Sequence, residues 1–255
     1  MGTALRSTKS KIRIRTAKPR KHRARPRSQV DLETKTLPSQ ARSRSTFDAI
    51  LRVAGEMLAG KGADAFSVNA VCLRGGLSPP AFYRYFPNKY ALLKALAQRL
   101  MDAGDDAVVV AMSRDGLPRN EGQLIAELRN VLTDLVAATA SFPGSVQILR
   151  ALRSTPEMRQ VQLASTARVA GRRLERLRAM FPNADPARLR RGVWLGLETA
   201  NIAVELIVEG AYKEAGETVQ ATINDTAVML ARYYWQLGAS EAAQDGKTRT
   251  LPARR

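Results

Sequence analysis

The 255 residues are expected to form an all-α protein, and three observations carry that expectation. Apolar residues recur at helical spacing through most of residues 42–238. Helix-start pairs, Ser78–Pro79 and Asp185–Pro186 among them, punctuate the pattern. Aromatics make up only 5% of the chain, Ala, Leu, Arg and Val abound, and no stretch reads convincingly as a strand. About nine helices are predicted, with no internal repeat, in a small three-helix N-terminal domain and a larger helical C-terminal one.

Composition shifts divide the chain into residues 1–41, 42–90, 91–238 and 239–255. The first segment holds twelve Lys/Arg against Asp31 and Glu33, a net +10 within a total of +18. It has almost no apolar periodicity and is expected to be a disordered basic arm. Beside a DNA reader, such an arm adds phosphate contacts and steepens salt dependence. Arg23-Ala-Arg-Pro-Arg27 resembles the Arg-Gly-Arg-Pro core of an AT-hook, with alanine for glycine. Minor-groove insertion, nonspecific electrostatic help, and a passive tail or start-site artefact all stay open. Residues 239–255 lose periodicity and are expected to fray.

The first helix carries Phe47, Ile50, Leu51, Ala54, Met57 and Leu58 as one stripe. Ser45 and Asp48 form a capping-box-like pair before it. Ser67 then caps a short helix with Val68, Val71 and Cys72 on one face. Gly75–Gly76 supplies a left-handed turn. Ser78 caps the next helix, whose early prolines forfeit no hydrogen bond. That helix runs Ala81–Phe86 and stops near Pro87, with Phe82 and Phe86 anchored in a small core. Asn88 caps a helix starting at Lys89. Two short helices about a glycine turn are the layout of a helix-turn-helix DNA reader; a hairpin that merely packs within an all-α domain is the plainer alternative.

The residues Ser67, Gly75–Gly76, Phe82–Tyr83, Tyr85–Phe86, Asn88–Lys89 and Leu92–Leu93 resemble the N-terminal domain of the TetR/AcrR repressors. The likeness covers about Arg42 to Leu96. Gly75 and Cys72 stand where that family usually has Ala, and Tyr90 where it usually has an acidic residue. The resemblance implies that Ser78, Pro79, Pro80 and Ala81 meet base edges in the major groove. It implies that Tyr83 and Lys89 bind phosphate, that Ser67 and Arg44 touch the backbone, and that Tyr85 reaches a base or phosphate. Prolines and alanine offer bases no hydrogen bond, so specificity is expected to lean on Arg84, Ser78, thymine-methyl packing and DNA shape. It further implies a bacterial, cytoplasmic homodimer, nucleoid-associated when bound to a pseudo-palindromic operator, and released by a small-molecule effector.

The remaining helices follow in order. One starts at Asn88 and carries Leu92, Leu93, Leu96 and Leu100, up to a break at Gly116–Pro118. Leu124 to Leu135 mark another, and Pro143 begins a short one after Phe142. Pro156 begins a helix with Arg168, Arg172, Arg173 and Arg176, read as a solvated face. Asp185 and Pro186 open a helix to about Glu209, and the last spans roughly Glu217 to Leu237. Gly192, Gly196 and Ala200 recur on one face, and glycine in a helix costs about 1 kcal/mol, so close helix approach is expected there. The last helix carries Ile223 and Leu230 on one stripe and Trp235 on another. These six are the candidate dimer contacts, with plain intramolecular packing as the alternative. An apolar effector pocket is expected among these helices, with Phe142, Met158, Trp194, Glu198 and Asn201 as candidate lining.

Other functions are limited by composition. One cysteine precludes an internal disulfide, and Cys72 reads as a buried small hydrophobe. The single histidine, His22, lies in the basic arm, so no catalytic triad or histidine metal cluster is expected. No cofactor is implied. No run approaches the roughly 18 apolar residues of a membrane span. The expected function is a sequence-specific transcriptional regulator, a repressor rather than an enzyme. The rival is an architectural DNA-binding protein driven by the arm.

Overall fold

A computed structural model of the chain describes residues 31–35, 41–62, 66–211 and 218–239. The expected basic arm up to residue 30 and the expected tail from residue 240 lie outside them. The described residues form nine α-helices and no strand. In order they are α1 (Ala41–Lys61), α2 (Val68–Gly75), α3 (Pro79–Tyr83), α4 (Lys89–Arg114), α5 (Glu121–Ser141), α6 (Ser145–Ser154), α7 (Pro156–Met180), α8 (Pro186–Glu209) and α9 (Val219–Ala239).

Capping chemistry sets most of the starts. Ser67 accepts from the N–H of Ala70 at 3.2 Å and opens α2. Asn120 opens α5, Thr155 opens α7, and Asp185 accepts from Ala187 and Arg188 to open α8. Gly76, at φ 61°, ends α2 in the left-handed conformation that L side chains avoid. Two boundaries differ from the sequence reading. Helix α1 starts at Ala41, so Ser45 lies inside it and Asp48 pairs with Arg99 of α4 instead of closing a capping box. Helix α3 ends at Tyr83 and a turn follows, because Pro87 forbids continued helix just ahead of it.

One apolar core joins α1, α2, α3 and the first half of α4, centred on Phe47, Ile50, Phe82, Phe86, Leu92 and Leu96. It extends without a break into α6 and α7 through Ile148, Leu152 and Met158. At this junction Gly144, at φ 78°, lies so close to Leu58 and Gly55 that a β-carbon would sit 2.7 Å from the Leu58 Cβ. A second core unites α5, α7, α8 and α9 around Leu124, Leu177, Leu189, Val193 and Tyr234. Helix α4 belongs to both halves of the molecule, so the expected boundary at residue 90 falls inside a continuous 26-residue helix.

Two expectations about faces are corrected. The arginine set on α7 is only partly solvated. Arg173 is 2% exposed and pairs at 2.5 Å with Glu127, itself buried on α5, while Arg176 binds the other oxygen of Glu127. A buried carboxylate across the helix interface draws these cations inward, and nothing in the local spacing signals it. The glycine face of α8 is turned to the chain's own α9. A β-carbon on Gly192 would run into Leu237, and one on Gly196 into the Tyr234 ring and hydroxyl. Ala200, Ile223 and Leu230 are likewise buried in the second core, and Trp235 packs edge-on against Phe181. The small residues let α8 and α9 of one chain close together, as the intramolecular alternative had it.

Candidate DNA interface and effector cavity

The candidate DNA-reading element is the tip of the N-terminal domain. Ser78 accepts from the N–H of Ala81 at 3.4 Å, and Pro79 and Pro80 occupy the first two positions of α3. Phe82 is fully buried, and its ring and that of Phe86 pack 5.6 Å apart. This anchor turns the opposite edge outward: Ser78, Pro79, Pro80, Tyr83 and Arg84 are all exposed, with Ala81 half-buried behind them. Ser67 and Arg44 are exposed on α2's cap and α1. Lys89, at the first position of α4, lies where helix dipole and charge both favour a phosphate.

Tyr85 is placed differently from the others. It is 3% exposed and packs edge-to-face on Phe47, and the Arg84 guanidinium lies over its ring. Its ring is a core group, which argues against the base or phosphate contact expected of it.

Just before this domain, residues 31–35 are held against it rather than loose. The Asn88 side chain caps α4 through Oδ1, accepting from Tyr90 at 2.9 Å and Ala91 at 3.0 Å. Its Nδ2 donates to the Asp31 carbonyl at 2.7 Å. The N–H of Lys35 donates to the Tyr85 carbonyl at 2.9 Å, and Lys94 pairs with Glu33. The root of the basic segment is thereby fixed beside Lys89.

In the larger domain, helices α4 to α9 enclose a cavity of about 80 Å³. Its walls are mainly apolar, with Met101 and Val108 from α4, Val131 and Leu135 from α5, and Val204 from α8. Polar groups gather on α7 and α8: Gln162, Ser165, Thr166, Asn201 and Glu205. Asp105 faces them from α4, accepting from Ser165 at 2.6 Å and paired with Arg168 at 2.7 Å. Burial raises the Asp105 carboxyl above its ordinary range despite these two partners, and it raises Glu205 despite Arg153 at 3.0 Å. Burial also pushes the Tyr234 hydroxyl to about 12, so it stays protonated at neutral pH.

Of the five expected lining residues, only Asn201 reaches this cavity. Met158 is buried in the first core, Phe142 packs against that core, and Trp194 is 39% exposed on the outside of α8. Glu198 sits between Arg159 at 3.0 Å and the Thr166 hydroxyl at 3.2 Å. Sequence reasoning favoured large aromatics; the walls are instead Leu, Val and Gly from α4 and α5, together with Gln162. The signal was present in α4, where Gly104 interrupts an apolar stripe and admits Leu135, whose Cδ1 would lie 3.0 Å from a β-carbon there.

Known proteins show the same organisation. Residues 50–96 match the family model described as bacterial regulatory proteins, tetR family. The chain is 28% identical over 225 residues to the HTH-type transcriptional regulator EthR of Mycolicibacterium smegmatis, covering 82% of this chain and 98% of that one. A TetR-family transcriptional regulator from Streptomyces coelicolor superimposes with a TM-score of 0.52 at 26% identity, over 75% of this chain and 99% of that one. The fatty acid degradation regulator FadR from Bacillus halodurans shares the fold, with a TM-score of 0.54 at 18% identity, over 73% of this chain and 94% of that one. A capped helix on a small aromatic core, joined by α4 to a helical body, is the organisation of these regulators: the chain carries a tetR-family DNA-binding domain at residues 50–96, and over most of its length it is similar in sequence and fold to TetR-family transcriptional regulators.

Proposed function

We propose that this regulator is a repressor that binds a pseudo-palindromic operator as a homodimer and leaves it when an apolar small molecule enters the cavity. The observation that carries the reading is α4. Its first turn presents Lys89 beside the reading helix, and four turns later Gly104, Asp105 and Val108 form the cavity wall. An occupant that needs more room than the empty cavity must move α4, and α4 cannot move without moving Lys89 and α3.

Ser78, Tyr83, Arg84 and Lys89 are the proposed DNA contacts, with Pro79, Pro80 and Ala81 packing on base edges. Arg44 and Ser67 flank them on the backbone. Residues 1–30, which hold eleven Lys/Arg and no acidic residue, would add phosphate contacts from a root fixed at Asp31. The dimer face is proposed on the outer sides of α8 and α9, where Leu195 (59%), Ile202 (56%) and Met229 (50%) leave large apolar side chains in water. The protein would act in the cytoplasm, where bacterial DNA is. No single helix among the described residues is long and apolar enough to cross a membrane.

Selection of bound DNA from a random pool tests the reading, because it returns both the half-site and its spacing. An enriched palindrome with half-sites about one helical turn apart, or a multiple of that, is expected. A pool with no enriched sequence would instead favour an architectural DNA-binding protein.

A further inference from the structure

The cavity carries information about the chemistry of its occupant. Gln162 lies on its wall, is 9% exposed, and no protein group lies within hydrogen-bonding reach of its Oε1. The charged groups around the wall are engaged. Asp105 has Arg168 and Ser165, Arg173 has Glu127, and Glu205 has Arg153. The Asn201 amide donates to the Thr166 hydroxyl oxygen at 3.3 Å, and that hydroxyl donates to Glu198.

A buried acceptor left unmatched costs free energy that a ligand donor can recover. An ion entering the same space would lose its hydration and meet only charges that already have partners. We infer that the cavity takes a neutral, largely aliphatic molecule carrying a hydroxyl or amide N–H that donates to the Gln162 Oε1. The inference rests on the reading of this cavity as the effector site, and it adds the class of effector. The engaged ion pairs set the polarity of the site without competing for the ligand head. The α4 and α5 side chains form the apolar trough for its body.

Two isomeric probes isolate the donor. Octan-1-ol has one, and 1-methoxyheptane has the same atoms with none. Octanoate and octylammonium add either charge. Binding of each to the full chain can be followed by the shift in thermal midpoint and by titration calorimetry, and operator binding can be measured in parallel. The alcohol is expected to bind about tenfold tighter than the ether, the value of one net hydrogen bond, and more tightly than either ion. In Gln162→Leu the difference between alcohol and ether should vanish, while apolar affinity persists.

Equal binding of alcohol and ether by the natural chain, or tightest binding of either ion, overturns the inference, and neither result depends on the variant folding. Survival of the alcohol's advantage in Gln162→Leu overturns it too. If alcohol and ether bind equally and both weaken operator binding, the effector cavity stands and only its assigned chemistry falls. If none of the four probes binds, the cavity reading falls with it.

Discussion

Asn88 shows how much one side chain can hold. Its oxygen closes the start of α4, and its nitrogen holds the chain at Asp31. Asn88→Ala removes both. A cost of about 1 kcal/mol in stability is expected from the lost cap, together with faster amide exchange around residues 31–35. Asn88→Asp keeps the cap oxygen and loses only the donor, so stability should hold while the exchange still rises. Glu127 is a different case. With Arg173 and Arg176 both on its oxygens, Glu127→Ala strands a buried cation, and a loss of about 3–5 kcal/mol is expected in chemical denaturation. Glu205 carries a pH signature. Burial raises its folded-state carboxyl above the ordinary value of 4.5, so the proton is held more tightly in the folded chain. The stability it contributes is full below 4.5 and is lost as pH rises through the folded value. Glu205→Gln should therefore flatten the fall of stability between pH 4.5 and neutrality; an unchanged slope would assign that fall to Asp105 or to other groups.

Among the elements, helices were more legible than faces. Asp185–Pro186 and Pro156 fixed the starts of α8 and α7, because capping and proline chemistry are local and need no partner. Ser45 misled for a related reason: nothing in four residues tells a first turn from a second. The glycines on α8 announced a close approach but not its partner, since spacing alone cannot say whether the neighbouring helix belongs to the same chain. With α9 seated on them, Gly196→Ala is expected to drive a methyl into Tyr234 and destabilise the monomer by about 1–3 kcal/mol. Oligomeric state at saturating protein should stay as in the natural chain. Leu195→Glu with Ile202→Glu is expected to do the opposite, leaving the thermal midpoint of the isolated fold near its original value. Sedimentation should then find the monomer at micromolar concentration. The cavity was the least legible feature. Its wall draws residues from six helices far apart in the sequence, and Gln162 acquires meaning only through what surrounds it.

For the whole molecule, the continuity of α4 has a mechanical consequence. At 1.5 Å per residue, Lys89 lies about 22 Å along the helix from Gly104. Leu135 of α5 packs on the helix at Gly104, where a β-carbon would lie 3.0 Å from its Cδ1, which makes that point a natural fulcrum. A tilt of about 5° there would carry Lys89 through about 2 Å over that distance. Hydrogen bonds to phosphate have a working range of about 2.7–3.2 Å, so such a swing would break the proposed Lys89 contact. In the proposed mechanism, a bound molecule would not have to reshape the protein to release DNA; a displacement well under 1 Å close to the fulcrum would be multiplied on the long side of the lever.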